Sequence, residues 1–184
     1  MKEKIFVERV ISWFKDKEWP ENNLWCRKSI PLKGFPEPAK RVQFDVLAVN
    51  PEKELGIIVE CKVRSGPYDI ANAFGQVMMY RELLVRNDFI KICGLKHKIP
   101  KPKDMRLCLC FPNFDVPKKY KKDYKWMKWT KECRQLFEKL KEKTKEKKIG
   151  LLLVVFKGKE EELADPTKLE AGDLQIEPKI DPTN

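Results

Sequence analysis

The chain has 184 residues, with 39 Lys and Arg against 28 Asp and Glu and a single histidine, giving a formal charge of +11 at pH 7. That length is enough for one well-buried core and leaves too little for a second domain of ordinary size. A hydrophobic content of 42% excludes a wholly disordered chain, while 36% charged residues and a mean hydropathy of -0.56 predict a soluble one.

Phe6, Val10, Ile11, Trp13 and Phe14 recur at helical spacing and predict an amphipathic helix from about Glu3 to Lys17, stopped before Pro20. The opening Met1 to Glu8 lacks the uninterrupted apolar region of a signal peptide, and no run reaches the roughly 18 to 20 apolar residues that span a bilayer. A cytoplasmic protein with no membrane partner is the expectation. Leu24 to Ile30 predicts a strand, ended by the Pro- and Gly-bearing stretch Pro31 to Pro38. Val42 to Val49 and Leu55 to Val63 are β-branched runs joined by Asn50-Pro51-Glu52-Lys53-Glu54, which predicts a hairpin.

From Ile70 to about Asn87 the pattern is helical, with Ala71, Phe74, Val77, Met78 and Leu84 apolar. Met105 to Phe111 predicts a buried strand, Trp126 to Lys147 a long helix, and Leu151 to Phe156 a strand in the middle of a sheet. The order α-β-β-β-α-β-α-β makes this an α/β chain with a mixed central sheet flanked by helices. The expected domain runs over residues 1–159, followed by an acidic C-terminal tail, 160–184, with a short strand at Leu174 to Ile176. The tail sets two lysines against eight carboxylates, a net -6, so the first 159 residues carry +17. Such an excess points to a polyanionic partner, because phosphates repay clustered cations through released counterions. Lys- and Glu-rich surfaces also serve stability in hot environments.

Cys26, Cys61, Cys93, Cys108, Cys110 and Cys133 are scattered, without a CxxC pair, and are expected as free buried thiols. Their spacing leaves an iron–sulfur cluster open. His97, the one histidine, falls in a predicted loop, which disfavours histidine-based chemistry.

Charged groups inside runs that otherwise look buried carry the functional signal. Asp45 lies within Phe44-Asp45-Val46-Leu47, and Glu60 and Lys62 within Val59-Glu60-Cys61-Lys62-Val63 on the hairpin partner. Alternation along a strand gives Glu60 and Lys62 one face and Cys61 the other, and Asp45 can join them from the neighbouring strand. Two carboxylates and an ammonium suit phosphodiester hydrolysis: Mg2+ or Mn2+ takes hard oxygen ligands and keeps several waters, and the lysine orients the attacking water. The bland alternative is a buried ion pair, but such pairs stabilise poorly relative to apolar replacements.

With Asp45 as first acid and Glu60-Cys61-Lys62 as an ExK element, the chain resembles the PD-(D/E)xK, or restriction-endonuclease-like, nuclease superfamily over roughly Glu3 to Phe156. Gln76-Val77-Met78-Met79-Tyr80 is similar to the QxxxY element of RecB-type and CRISPR-associated exonucleases, and Gln76 and Tyr80 at i and i+4 share a helix face. Phe44 stands where the motif has proline, and neither the four-cysteine cluster pattern nor a histidine ahead of Asp45 is evident. The resemblance implies an αβββαβ core, catalytic roles for Asp45, Glu60, Lys62, Gln76 and Tyr80, and a Mg2+ or Mn2+ ion on Asp45 and Glu60. It further implies that Glu8, on the first helix, joins the metal site, as in archaeal Holliday-junction resolvases.

Lys118, Lys119, Lys121 and Lys122 interleave with Tyr120, Tyr124 and Trp126, and Lys96 and Lys98 flank His97, so both stretches are candidate nucleic-acid contacts. Helical spacing of Trp126, Trp129, Cys133, Leu136, Phe137 and Leu140 argues that the tryptophans belong to the core. The functional expectation is a metal-dependent deoxyribonuclease of DNA repair, recombination or defence, exonucleolytic or structure-specific. Its alternatives are a non-cleaving nucleic-acid-binding module on the same fold and a resolvase-like homodimer. DNA and RNA are both open as substrates.

Overall fold

In a computed structural model, the structure describes residues 3–31, 41–64, 66–86, 103–113, 131–157 and 168–184. Helix α1 spans Glu3–Asp16; strands β1, Leu24–Pro31, β2, Arg41–Asn50, and β3, Leu55–Cys61, follow. Helix α2, Pro67–Arg86, leads to β4, Asp104–Pro112; helix α3, Lys131–Glu146, leads to β5, Ile149–Phe156, and β6 spans Leu174–Ile180. The six strands form one mixed sheet in chain order, β1-β2-β3-β4-β5-β6. β2 is antiparallel to both of its neighbours, β1 and β3; β3, β4 and β5 are parallel, and β6 is antiparallel to β5.

Two apolar clusters, one on each side of the sheet, explain the layering. Ile70, Ala73, Val77 and Tyr80 of α2 and Phe137 and Leu140 of α3 pack on Leu47, Ile58, Leu109 and Leu151. Phe6, Val10, Trp13 and Phe14 of α1 pack on Val46, Ile57, Val59, Cys108 and Leu152. Every residue of β3 is buried, which is why Leu55–Cys61 reads as a continuous apolar run rather than an alternating one. None of the helices among the described residues is long and apolar enough to cross a membrane.

Local chemistry sets the boundaries. Asn50 begins the hairpin turn by accepting the Lys53 N–H on its side chain at 3.0 Å, and Glu54 closes it with φ 50°. α2 begins at Pro67, ahead of the predicted Ile70, since proline suits the first helical turn, where its missing N–H has no partner to lose. α1 ends in a turn with Glu18 at φ 61°: Glu18 N–H donates to Lys15 O, Trp19 N–H donates to Phe14 O, and the Trp19 ring meets Phe14 edge-on. β3 stops at Cys61, two residues before the predicted end; Lys62 lies just past the strand, although its N–H still donates to Cys110 O.

The acidic segment differs most from expectation. Its strand is Leu174–Ile180, not Leu174 to Ile176, and it is the sixth strand of the sheet, with Leu174 and Ile176 buried under α1. Beyond it, Pro182 lies against Gly150, so closely that a Cβ there would stand 2.5 Å from the proline ring. These residues belong to the core layer. The predicted helix start at Trp126 lies outside the described residues.

Candidate active site

The site forms where β2 parts from β3. Their pairing ends at Val46↔Val59, and beyond that point the two-residue alternation of β2 slips. Phe44 packs with Leu47 and Val49 in one cluster, while Val46 and Ala48 belong to the other, so the slip falls on Asp45. Asp45 Oδ2 accepts the Cys61 N–H at 2.8 Å, replacing with a carboxylate the carbonyl that a continued ladder would supply. This fixes the carboxylate at the end of β3, beside the last strand residues.

Glu60 is 4% exposed at its side chain and has both oxygens engaged: Lys62 Nζ donates to Oε1, and the Tyr80 hydroxyl donates to Oε2 at 3.0 Å. A carboxylate so buried would carry a desolvation penalty of several kcal/mol if left alone, which is why partners on both oxygens are needed. Tyr80 reaches it from α2 across the sheet face, with its ring held edge-on to Phe44 at 4.8 Å between centroids. Phe44, the residue just before Asp45, thus backs the tyrosine. Burial, then the Glu60 charge and hydrogen bond, push the Tyr80 phenol well above its usual range, so the hydroxyl remains a donor.

Asp45 is pushed up from 3.8 to about 7, first by burial and next by repulsion from Glu60; the Cys61 N–H opposes this, Glu3 adds to it, and Lys62 offsets little. Two carboxylates that repel each other despite a nearby ammonium have charge to spare for a cation. As hard oxygen donors they fit Mg2+ or Mn2+, which needs only one or two protein carboxylates and fills its other positions with water and phosphate. Among the described residues no set of three His, Cys, Asp or Glu side chains is gathered as a metal cage.

Asp45, Glu60, Lys62 and Tyr80 are therefore brought together. Gln76 lies one turn before Tyr80 on α2, and its side-chain oxygen is buried without a hydrogen-bond partner among the described residues. Glu8 is not drawn in: it is 49% exposed and pairs with Lys4 at 3.5 Å. The α1 acid whose charge reaches Asp45 is Glu3, which the sequence reading did not single out. A residue in the first turn of an amphipathic helix, off the apolar stripe, carries no signal that separates it from a solvated one. Arg27, the Glu3 partner on β1, was missed because one exposed charged residue in a strand looks like any solvated one.

Lys96, Lys98, Lys118, Lys119, Lys121 and Lys122 lie outside the described residues, as does His97. Cys61, Cys108 and Cys110 are free and buried, as expected, whereas Cys26 is free and exposed. The Cys61 thiol is pushed up by its hydrogen bond with Cys110 and by burial, and the Cys108 thiol by burial, which leaves both as inert packing groups on the α1 side of the sheet. No family model matches the chain, nor does any curated protein or solved structure.

Proposed function

We propose that the chain is a divalent-metal-dependent nuclease on a restriction-endonuclease-like αβββαβ core, hydrolysing phosphodiester bonds of DNA. The observation that carries this reading is the meeting of the Asp45 and Glu60 carboxylates with Lys62 at the point where β2 leaves β3, with Asp45 raised to about 7 by burial and by Glu60. A structural ion pair would need one acid, and here a second, repelled acid is retained.

Asp45 and Glu60 would hold the ion, which when bound supplies Lewis-acid polarisation of the phosphoryl oxygen and a more acidic water. Lys62, with 18% of its side chain exposed, is placed to hydrogen-bond the incoming water and to offset charge developing on phosphorus. Tyr80 orients Glu60 by donating to the oxygen that Lys62 does not use. Gln76, one turn away and with its side-chain oxygen buried without a partner among the described residues, is a candidate acceptor for the incoming water. Cys61 contributes its backbone, which fixes Asp45.

A second reading, a nucleic-acid-binding module that no longer cleaves, is favoured by one observation: Lys62 and Tyr80 together occupy both Glu60 oxygens. The two readings separate in one assay. Labelled single-stranded, duplex, flapped and four-way-junction DNA, and single-stranded RNA, are incubated with Mg2+, Mn2+ or chelator, with the wild type and Lys62→Ala. The nuclease reading expects metal-dependent product that falls at least about 100-fold in the variant, the scale of losing one electrostatic stabiliser. Retained cleavage in Lys62→Ala would remove Lys62 from the centre; salt-sensitive binding with no product in any metal would favour the module.

A further inference from the structure

We propose that Arg27 is the substrate-phosphate contact beside Asp45, and that Glu3 holds its guanidinium until a polyanion displaces it. The inference rests on the nuclease reading for its location and adds to it a residue that the sequence pattern gives no reason to choose.

The backbone provides the first observation. Arg27 has φ 49° within strand β1. A non-glycine residue rarely adopts this left-handed conformation, least of all inside a strand, and such residues persist where the surroundings enforce them, often at functional sites. The distortion falls opposite Asp45. β1 and β2 pair through Cys26↔Val46 and resume at Lys28↔Phe44 in the same register, so the position the ladder skips is the one where Arg27 faces Asp45. The slip in β2 and the left-handed residue in β1 are thus one irregularity shared by two strands.

The surroundings enforce it from the site itself. The Gln43 side-chain amide donates to Arg27 O at 3.2 Å, satisfying the carbonyl that the ladder leaves out. The Gln43 carbonyl in turn lies 3.4 Å from the Tyr80 hydroxyl, which donates to Glu60 at 3.0 Å. The strained residue is therefore tied through Gln43 to the same tyrosine that orients Glu60.

The side chain provides the last observation. Arg27 Nη2 donates to Glu3 Oε1 at 3.1 Å, with the two side chains 50% and 39% exposed. An ion pair this open is held weakly, and among the described residues it engages one of the five guanidinium donors. A phosphate offers the same fork two oxygens and more charge, so it competes well against a single carboxylate contact.

The test is fluorescence anisotropy of a labelled single-stranded DNA oligonucleotide in chelator, over a salt series, with Arg27→Gly, Glu3→Gln and the double variant. Glycine accepts φ 49° without strain, so the fold should survive with an unfolding midpoint no lower than that of the wild type. Arg27→Gly is expected to weaken binding about 10-fold and to reduce the salt slope by about one. Glu3→Gln is expected to tighten it about threefold, and the double variant to bind as weakly as Arg27→Gly alone. A double variant restored to wild-type affinity would mean that only net charge is read, and an Arg27→Gly variant within twofold of wild type would equally overturn the proposal. If the wild type cleaves and Arg27→Gly is unaffected, the contact fails and the nuclease stands. If the Arg27 effects appear while the wild type cleaves nothing in any metal, the contact stands and the nuclease reading fails.

Discussion

At the scale of single residues, Asp45 is held in a form that works against the fold. Its carboxyl is raised from 3.8 to about 7, so between those values the folded protein keeps a proton that the unfolded chain releases. Stability from this group is therefore fully present below about pH 3.8 and is lost as pH rises through about 7. Asp45→Asn keeps an oxygen to accept the Cys61 N–H and removes the repulsion from Glu60. In chelator it should unfold at a higher temperature than the wild type at pH 8, by roughly 1 to 2 kcal/mol after allowance for partial exposure, and the advantage should shrink toward pH 5. A variant that gains nothing at pH 8 in a differential scanning series would contradict the assigned burial and repulsion. That Asp45, Glu60 and Lys62 meet was legible in the sequence because charged residues inside apolar runs demand partners, whereas Tyr80 was singled out only by the resemblance of Gln76 to Tyr80 to a QxxxY element. The slip at Asp45 and the left-handed Arg27 were not, since hydrophobic alternation records which residues are buried and not where a strand changes its facing.

Among the elements, helix α1 ends in a motif that glycine would suit better than the residue present. Glu18 holds φ 61° while Trp19 folds back onto Phe14. A left-handed β-carbon costs about 1 kcal/mol or more, and Glu18 is exposed, so glycine has little side-chain burial to lose there. Glu18→Gly should raise the midpoint by about 2 to 4 °C, the shift that about 1 kcal/mol produces in a chain of this size. An unchanged or lower midpoint in thermal unfolding followed by circular dichroism would show that Glu18 makes a stabilising contact. The α1 stripe, the hairpin turn at Asn50 and the buried run of β3 were all readable from period and turn chemistry. The glutamate at the helix end was not, because a left-handed cap without Gly or Asn looks like any solvated residue.

For the whole molecule, the sheet is closed on the side of β5 by a strand that composition disguised. β6 is an edge strand with only Leu174 and Ile176 buried, so its apolar signal is two residues in an acidic, Pro-containing stretch. Pairing with β5 over Leu151 to Phe156 makes it part of the core layer, and the contact of Pro182 with Gly150 fixes its far end. Gly150→Ala would set a methyl 2.5 Å from the Pro182 ring and 3.1 Å from Cys108 Sγ, neither of which is the free end of a flexible side chain. Overpacking of this kind typically costs about 1 to 3 kcal/mol. The expected result is a lower midpoint together with faster proteolysis after β5; wild-type proteolysis would mean that the last residues yield without loosening the sheet. The α/β class and the mixed sheet followed from the order of elements, whereas the membership of β6 needed a partner strand to make it visible.

Asp45 is tied to both the proposed activity and instability, so the most direct measurement reads both on the same preparation of Asp45→Asn. Cleavage of labelled DNA with Mg2+ or Mn2+ is followed beside the unfolding midpoint in chelator at pH 8. Metal-dependent cleavage is expected to disappear while the midpoint rises. A variant that cleaves at the wild-type rate, in the metal that activates the wild type, would contradict the placing of the active centre at Asp45.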